Sequence, residues 1–322
     1  MKALQLQEIG KPLEYVDLSP PSETGIYVSV QVLAAGLNHR DLWIQQGQYA
    51  GIQTPIILGS DAMGIYKDKK VILNPSMNWT NQSLSPPKTF KILGLPNNGT
   101  FAESVLVPAR NIFPKPGHLS TVEAAALPLA GLTAYRVLFS RCKLGKNSRV
   151  LITGIGGGVA LMALQFALSY GNEVWVTSGS PQKIKKAVGL GAQGGVLYTD
   201  DDWDKQLLAK AGGGFDVIVD SAAGKGFKKL IKVANPGARV GLYGGTTGKI
   251  DGVIPQAVFW KQLTICGSTM GSTVEFRKML SFVNKHQIVP VIDKVFTLKE
   301  GNKAFQRMKS GKQFGKIVLK IE

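Results

Sequence analysis

The stretch Arg149–Tyr170, RVLITGIGGGVALMALQFALSY, constrains the chain more than any other. An apolar, β-branched run (Val150, Leu151, Ile152, Thr153) breaks into glycines and resumes as an apolar segment at helical spacing. That pattern reads as strand, tight turn and helix. Gly154 lets the chain turn sharply, and Gly157 and Gly158 remove side chains that would hold a phosphate off the backbone. Ala160 is small enough for the helix to lie close on the strand. From Gly158 and Val159 the first helical N–H groups point at whatever sits above the turn, backed by the partial positive charge of the helix end. The ligand best suited to this geometry is the pyrophosphate of a dinucleotide. The same turn also serves α/β domains that bind no nucleotide, so the surroundings must decide.

With 322 residues the chain can bury two ordinary cores. No apolar run reaches the length of about 18 residues that a membrane span needs. The opening MKALQLQEIGKPLEYV alternates like a strand and carries Glu8, unlike a secretory leader. Cys142 and Cys266 are too few for a disulfide framework and point to a reducing compartment, so a cytoplasmic location is expected. The net charge of +17, with a denser patch at Lys183, Lys185 and Lys186, suits loose nucleic-acid binding or simply a solvated lysine-rich surface. No zinc-finger, basic-zipper or RNA-stacking signature accompanies it.

Residues 1–117 read as short alternating strands with frequent turns: Ile26–Leu33 and Val71–Leu73 as strands, Asn97-Asn98-Gly99 as a turn. Asn74–Leu95, polar and rich in Pro, Ser and Asn, reads as a loop excursion. Ser120 and Glu123 have the spacing of a capping box before an apolar helix interrupted near Pro128. After the glycine turn, short apolar strands (Glu173–Ser178, Gly195–Thr199, Phe215–Ser221, Arg239–Gly244, Leu263–Gly267) alternate with helical stretches. That alternation predicts a doubly wound parallel sheet with right-handed crossovers. From about Val274 an amphipathic helix, a strand pair and a closing strand at Lys316–Ile321 return to the character of the first part. The expected fold is α/β: a mostly-β domain (1–117 and 273–322) interrupted by a dinucleotide-binding domain (118–272), with an active site in the cleft between them.

Several separate motifs then resemble one family, the medium-chain dehydrogenases/reductases, and within it the zinc-free quinone-oxidoreductase-like branch that includes zeta-crystallin. They are AAGLNHRDLWIQQGQY, PIILGSDAMG, GTFAE with VPA, EAAALPLAGLTAY, the glycine turn and the terminal GKIVL, in that order along essentially the whole chain. The resemblance implies a GroES-like first domain and a Rossmann second domain. Zinc members carry a catalytic Cys where this chain has Asn38, a His where it has Ser60, and a third ligand where it has Ala130; the four-cysteine structural lobe is absent. No zinc is therefore expected, although His39, Asp41 and Asp61 lie near these motifs and leave room for an improvised metal site. By the resemblance, His39 faces the cofactor phosphates; it reads equally as a surface or capping residue.

In NAD-preferring folds an acidic residue at the end of the second strand binds the ribose hydroxyls. Here that end reads Val176-Thr177-Ser178-Gly179-Ser180-Pro181-Gln182-Lys183, without a carboxylate. Ser178 and Ser180 can hydrogen-bond, and relatives with this pattern place a Lys and a Tyr around a 2′-phosphate, matched by Lys183 and Tyr198. NADPH is the expected cofactor. Further contacts are expected from Ser221, Gly244, Gly245 and Ser268 at the ends of later strands. By resemblance, Asn38, Trp43, Tyr49 and Thr133 line the nicotinamide pocket. In it Asn38 would donate to the acceptor oxygen or the carboxamide, and Tyr49 would donate a proton or hydrogen bond. Trp43 would form an aromatic wall, and Thr133 would position the ring or acceptor. The expected activity is zinc-independent hydride transfer from NADPH to a quinone or an α,β-unsaturated carbonyl, in a homodimer. Two other readings stand beside it: an RNA-binding protein responsive to nucleotide with weak reductase activity, and a residual alcohol dehydrogenase using Asn38, His39 and Asp61 around an adventitious metal.

Overall fold

A computed structural model describes residues 1–321. It divides into two compact units: Met1–Leu132 with the segment from Gly271 onward, and Thr133–Met270. The division lies later than position 117 because the helix Thr121–Ala126 packs on strands Tyr27–Gly36 and Asp61–Tyr66 of the first unit. Ser120 caps that helix as its spacing predicts, with Ser120 Oγ accepting from Glu123 N–H and Glu123 returning the bond to Ser120 N–H.

The second unit is the doubly wound domain. Its strands, numbered here along the chain, are β1 (Arg149–Ile152), β2 (Glu173–Ser178), β3 (Gly194–Leu197), β4 (Phe215–Asp220), β5 (Ala234–Leu242) and β6 (Thr264–Gly267). All pair in parallel, in the spatial order β3-β2-β1-β4-β5-β6. This order reverses direction beside β1, the point where open α/β sheets bind ligands. The helix after β1, Gly158–Ser169, is apolar nearly all round and buries Leu161, Met162, Leu164 and Phe166. A six-residue π-helical turn, Arg136–Arg141, precedes β1. The strand ends differ from the sequence expectation by a few residues, most at β5, which starts at Ala234 rather than Arg239.

The first unit is built on a seven-stranded sheet. Its order is Ile112–Pro114, Lys69–Leu73, Asp61–Tyr66, Tyr27–Gly36, Lys316–Lys320, Ile292–Thr297, with Ser104–Pro108 paired to the other end of Tyr27–Gly36. The closing strand thus sits in the sheet beside Tyr27–Gly36, bringing the C-terminal segment against residues encoded near the other end of the chain. One expectation fails: Asn97-Asn98-Gly99 bends at Asn97 but forms no hydrogen-bonded turn. Gly99 N–H donates to Ile57 O and Asn98 Oδ1 accepts from Ile57 N–H. A side chain at Gly99 would meet Gly59 O at 2.0 Å, so this glycine serves close approach of two backbones. The Asn74–Leu95 excursion is ordered around a two-residue strand pair, Ser76–Met77 with Lys91–Ile92, and buries Trp79 edge-on to Phe90.

Candidate functional site

In the first unit the polar residues converge on Asp61, fully buried at the start of its strand. Asp61 Oδ2 accepts from Asn38 Nδ2 at 2.9 Å and from Lys316 Nζ at 3.0 Å, and Oδ1 accepts from Leu129 N–H at 2.7 Å. The Lys316 ammonium, 4% exposed, also donates to Asn38 Oδ1 at 2.6 Å. Three elements supply this triangle: the residue before helix His39–Gln45, the head of a central strand and the head of the closing strand. Gly36 makes it possible, since a side chain there would strike Ala125 O at 2.6 Å and Asp61 Cβ at 3.1 Å. A carboxylate taken out of water needs a fixed opposite charge, and Lys316 provides it.

A second cation lies alongside in sequence. Arg40, also buried, donates from Nη1 to Ser60 Oγ (2.7 Å) and Leu93 O (3.0 Å), with its guanidinium over the Tyr49 ring at 5.6 Å. Asp41 accepts the Asn38 N–H at 2.8 Å; burial pushes its carboxyl up to about 6, against the opposing pull of Arg40. His39 is exposed, with its ring 6.0 Å from that of Trp43.

These residues do not fit a metal. At the three positions where zinc members of the resembled family hold ligands, Asn38 Oδ1 accepts from an ammonium, Ser60 Oγ donates to Leu93 O, and Ala130 has no donor atom. Among the described residues no group of three or more His, Cys, Asp or Glu could hold a metal ion. The improvised set His39, Asp41 and Asp61 is not such a group: both oxygens of Asp61 and Oδ2 of Asp41 accept hydrogen bonds within the unit, and His39 is exposed. Asn38, expected to donate to a substrate oxygen, instead spends its amide on Asp61, Lys316 and, at 3.4 Å, Gly36 O.

The second unit presents the opposite arrangement. Between β1 and its helix the chain turns through Gly154 (φ +63) and Gly156 (φ +124), both in the region that favours glycine. Ile155 N–H donates to Thr177 O at 2.9 Å, pinning the turn to β2. Gly157 is the N-cap, and a Cβ built there meets nothing within 4 Å. A Cβ at Gly156 would lie 2.9 Å from Lys183 Cδ and 3.3 Å from Lys183 Nζ, so the Lys183 side chain crosses the turn. A Cβ at Gly179 would lie 2.7 Å from Tyr198 Oη, so that phenol stands over the end of β2. Ser178 is buried, its Oγ accepting from Ser180 N–H, and Ser180 caps the helix that carries Lys183. Lys183, Tyr198, Ser178 and Ser180 are therefore gathered around one strand end.

Ser221 follows β4, its Oγ 3.4 Å from a Cβ placed on Gly154. Gly244 lies close on Ser221, where a Cβ would meet Ser221 O at 2.8 Å, whereas a Cβ at Gly245 would meet nothing within 4 Å. Ser268 N–H donates to Leu242 O at 2.7 Å, while its buried Oγ has no partner among the described residues. Val159 is half-buried in the first helical turn, and Thr133 is buried in the helix Pro128–Tyr135. Asp220, at the end of β4, accepts from Thr153 Oγ1 and Ala223 N–H, and burial raises its carboxyl above the ordinary range.

The family profile described as alcohol dehydrogenase GroES-like domain matches residues 25–117, and the profile described as zinc-binding dehydrogenase matches residues 158–285. The chain is 34% identical to a zinc-type alcohol dehydrogenase-like protein, YogA, of Leptosphaeria maculans, over 96% of this chain and 95% of that one. It belongs to the medium-chain dehydrogenase/reductase superfamily. Among solved members, a crystal structure of an NAD-dependent alcohol dehydrogenase superposes over 100% of both chains with a TM-score of 0.93 and 31% identity. The quinone oxidoreductase of Thermus thermophilus, whose crystal structures include a complex with NADPH, superposes over 99% of this chain and 100% of that one, with a TM-score of 0.83 and 26% identity.

As a member of this superfamily the chain is an oxidoreductase with a nicotinamide-binding domain. Four residues of its two site regions escape sequence reading: Lys316, Arg40, Gly156 and Asp220. Lys316 is separated from Asp61 by 255 positions, and its one signal is a lysine heading a closing strand whose centre, Ile317 to Leu319, is apolar. Gly156 is masked by its neighbours in a run of three glycines.

Proposed function

We propose that this chain is an NADPH-dependent, zinc-independent reductase that delivers hydride to a quinone or an α,β-unsaturated carbonyl. The observation that carries the reading is the Lys316–Asn38–Asp61 triangle, which commits to internal bonds the groups a catalytic metal would need. A Lewis acid that ionises an alcohol is therefore not part of the proposal, and electron-poor acceptors are favoured. NADPH over NADH is supported by Lys183 across the glycine turn, Tyr198 at the end of β2 and the missing carboxylate there.

The reduced nicotinamide supplies hydride when bound. The N–H groups opening Gly158–Ser169 bind the pyrophosphate, and Lys183 neutralises the 2′-phosphate with Tyr198, Ser178 and Ser180 as hydrogen-bonding groups. Ser268 Oγ offers its unused donor to the carboxamide. Tyr49 donates a hydrogen bond or proton to the acceptor oxygen as negative charge develops, its ring held beneath the Arg40 guanidinium. Trp43 forms an aromatic wall and Thr133 orients the ring. Asn38 acts through the charge triangle it closes. The exposed Phe259 and Trp260, on the helix Pro255–Trp260, support a homodimer.

Anaerobic oxidation of NADPH and of NADH, against a 1,4-quinone, a short enone, a 2-alkenal and a simple aldehyde, tests the reading. Turnover with NADPH and a quinone or enone, unchanged by a chelator, is expected. The names of the alcohol dehydrogenase relatives favour a second outcome, alcohol oxidation dependent on added zinc, and that result would replace the proposal.

A further inference from the structure

Cys142 and Cys266 are both free and buried, and their sulfurs lie 4.0 Å apart within the second unit. They come from different elements, Cys142 ending the π-helical turn and Cys266 lying on edge strand β6. Gly241 of β5 pairs directly with Cys266, and a Cβ on Gly241 would lie 2.6 Å from Cys142 Sγ. The Cys142 thiol therefore rests on a bare Cα beside its partner, and a side chain at 241 would force it to shift. A disulfide needs sulfurs about 2.05 Å apart, a closure of about 2 Å shared between two side chains.

We propose that Cys142 and Cys266 form a two-cysteine site oxidised by a small hydroperoxide to an intramolecular disulfide. Cys266 is the attacking sulfur. It retains 9% exposure between the exposed neighbours Ile265 and Gly267, whereas Cys142 is fully enclosed. The Cys142 hydrogen bond, reinforced by Arg141 and Arg239, holds the Cys266 thiol down at about 7, and the same contact pushes Cys142 up. Arg141 is itself fixed by donating from Nε to Gly267 O at 2.8 Å.

The steps balance. The Cys266 thiolate attacks one peroxide oxygen, forming S–O as O–O breaks, and hydroxide leaves and takes a proton to become water. Cys142 sulfur then attacks Cys266 sulfur, forming S–S as S–O breaks, and the sulfenic hydroxyl leaves as water with the Cys142 proton. Two thiols lose two electrons in all and one hydroperoxide is reduced. This inference does not depend on the proposed hydride-transfer activity.

Hydrogen peroxide added to the purified full-length chain tests it, with thiols counted after denaturation, intact mass and peptide mapping. The expected result is a fall from two thiols to none per chain, a mass lower by two hydrogens and a linked Cys142–Cys266 peptide pair, all reversed by dithiothreitol. Cys142→Ser should stop at a sulfenic acid on Cys266 that dimedone traps, and Gly241→Ala should lose the linked pair. Two thiols surviving peroxide, cross-linking between chains, or thiol loss without the linked peptide pair would overturn the proposal, and the wild-type mass alone decides it should a variant fail to fold.

Discussion

The two site regions use polar groups in opposite ways. Around Asp61, carboxylate, amide and ammonium satisfy one another within 3.0 Å and are sealed from solvent. Around the β1 turn, glycines strip the backbone bare; half-buried Lys183 crosses it, and exposed Tyr198 stands over the neighbouring end of β2. The Asp61 triangle closes on itself, although Arg40 Nε and Asp41 Oδ1 beside it are buried without hydrogen-bond partners among the described residues; the second region is shaped to be completed by a ligand. Stability should therefore be lost on perturbing the first, and ligand affinity on perturbing the second.

The strongest break in that contrast is Lys316→Met, which leaves Asp61 a buried charge without its cation. It should cost about 3–5 kcal/mol of folding free energy in urea titration, and Lys316→Arg should recover part of it. A Lys316→Met protein as stable as wild type would show that the triangle is not what holds this region. Next comes Gly156→Val, which forces a β-branched residue to φ +124 against the Lys183 stem. Strain of about 1–3 kcal/mol should appear chiefly as weaker dinucleotide binding by tryptophan quenching. Of similar size, Lys183→Ala should weaken NADPH binding by about 1.5–3 kcal/mol and leave NADH binding nearly unchanged, read from the two dissociation constants. Equal losses for both cofactors would remove Lys183 from the 2′-phosphate.

Smaller effects sharpen the comparison. Tyr49→Phe should lower turnover with little change in NADPH affinity, and unchanged turnover would take its hydroxyl out of the mechanism. Asp41 titrates higher when folded than when unfolded, chiefly through burial, so its contribution favours the fold at low pH and is lost as pH rises through about 6. Wild-type stability minus that of Asp41→Asn should therefore fall between about pH 4 and about pH 7, measured as urea midpoints. A flat difference would place Asp41 outside the titrating groups.

What the sequence made legible follows the range of the interactions. Strand, turn and helix at Arg149–Ser169, the capping box at Ser120 and the serines, lysine and tyrosine around β2 are local patterns, and the fold places them as a parallel sheet requires. Lys316 meets Asp61 through sheet pairing across 255 positions, and no local period encodes that meeting. Asn38 is readable as the residue at a ligand position, but its amide partners are not. Gly99 looks like a turn residue because glycine permits both a turn and a close approach, and only the neighbouring Gly59 carbonyl distinguishes them.

The Lys316 triangle also bears on the routes by which such a chain can change. Placing Cys at position 38 and His at position 60 would set two metal donors beside two resident cations, Lys316 and Arg40, and the new thiolate would first meet an ammonium. Removing Lys316 beforehand strands Asp61. A redesign toward metal therefore has to exchange Asn38, Ser60 and Lys316 together, so that the new donors meet a metal and not a resident ammonium.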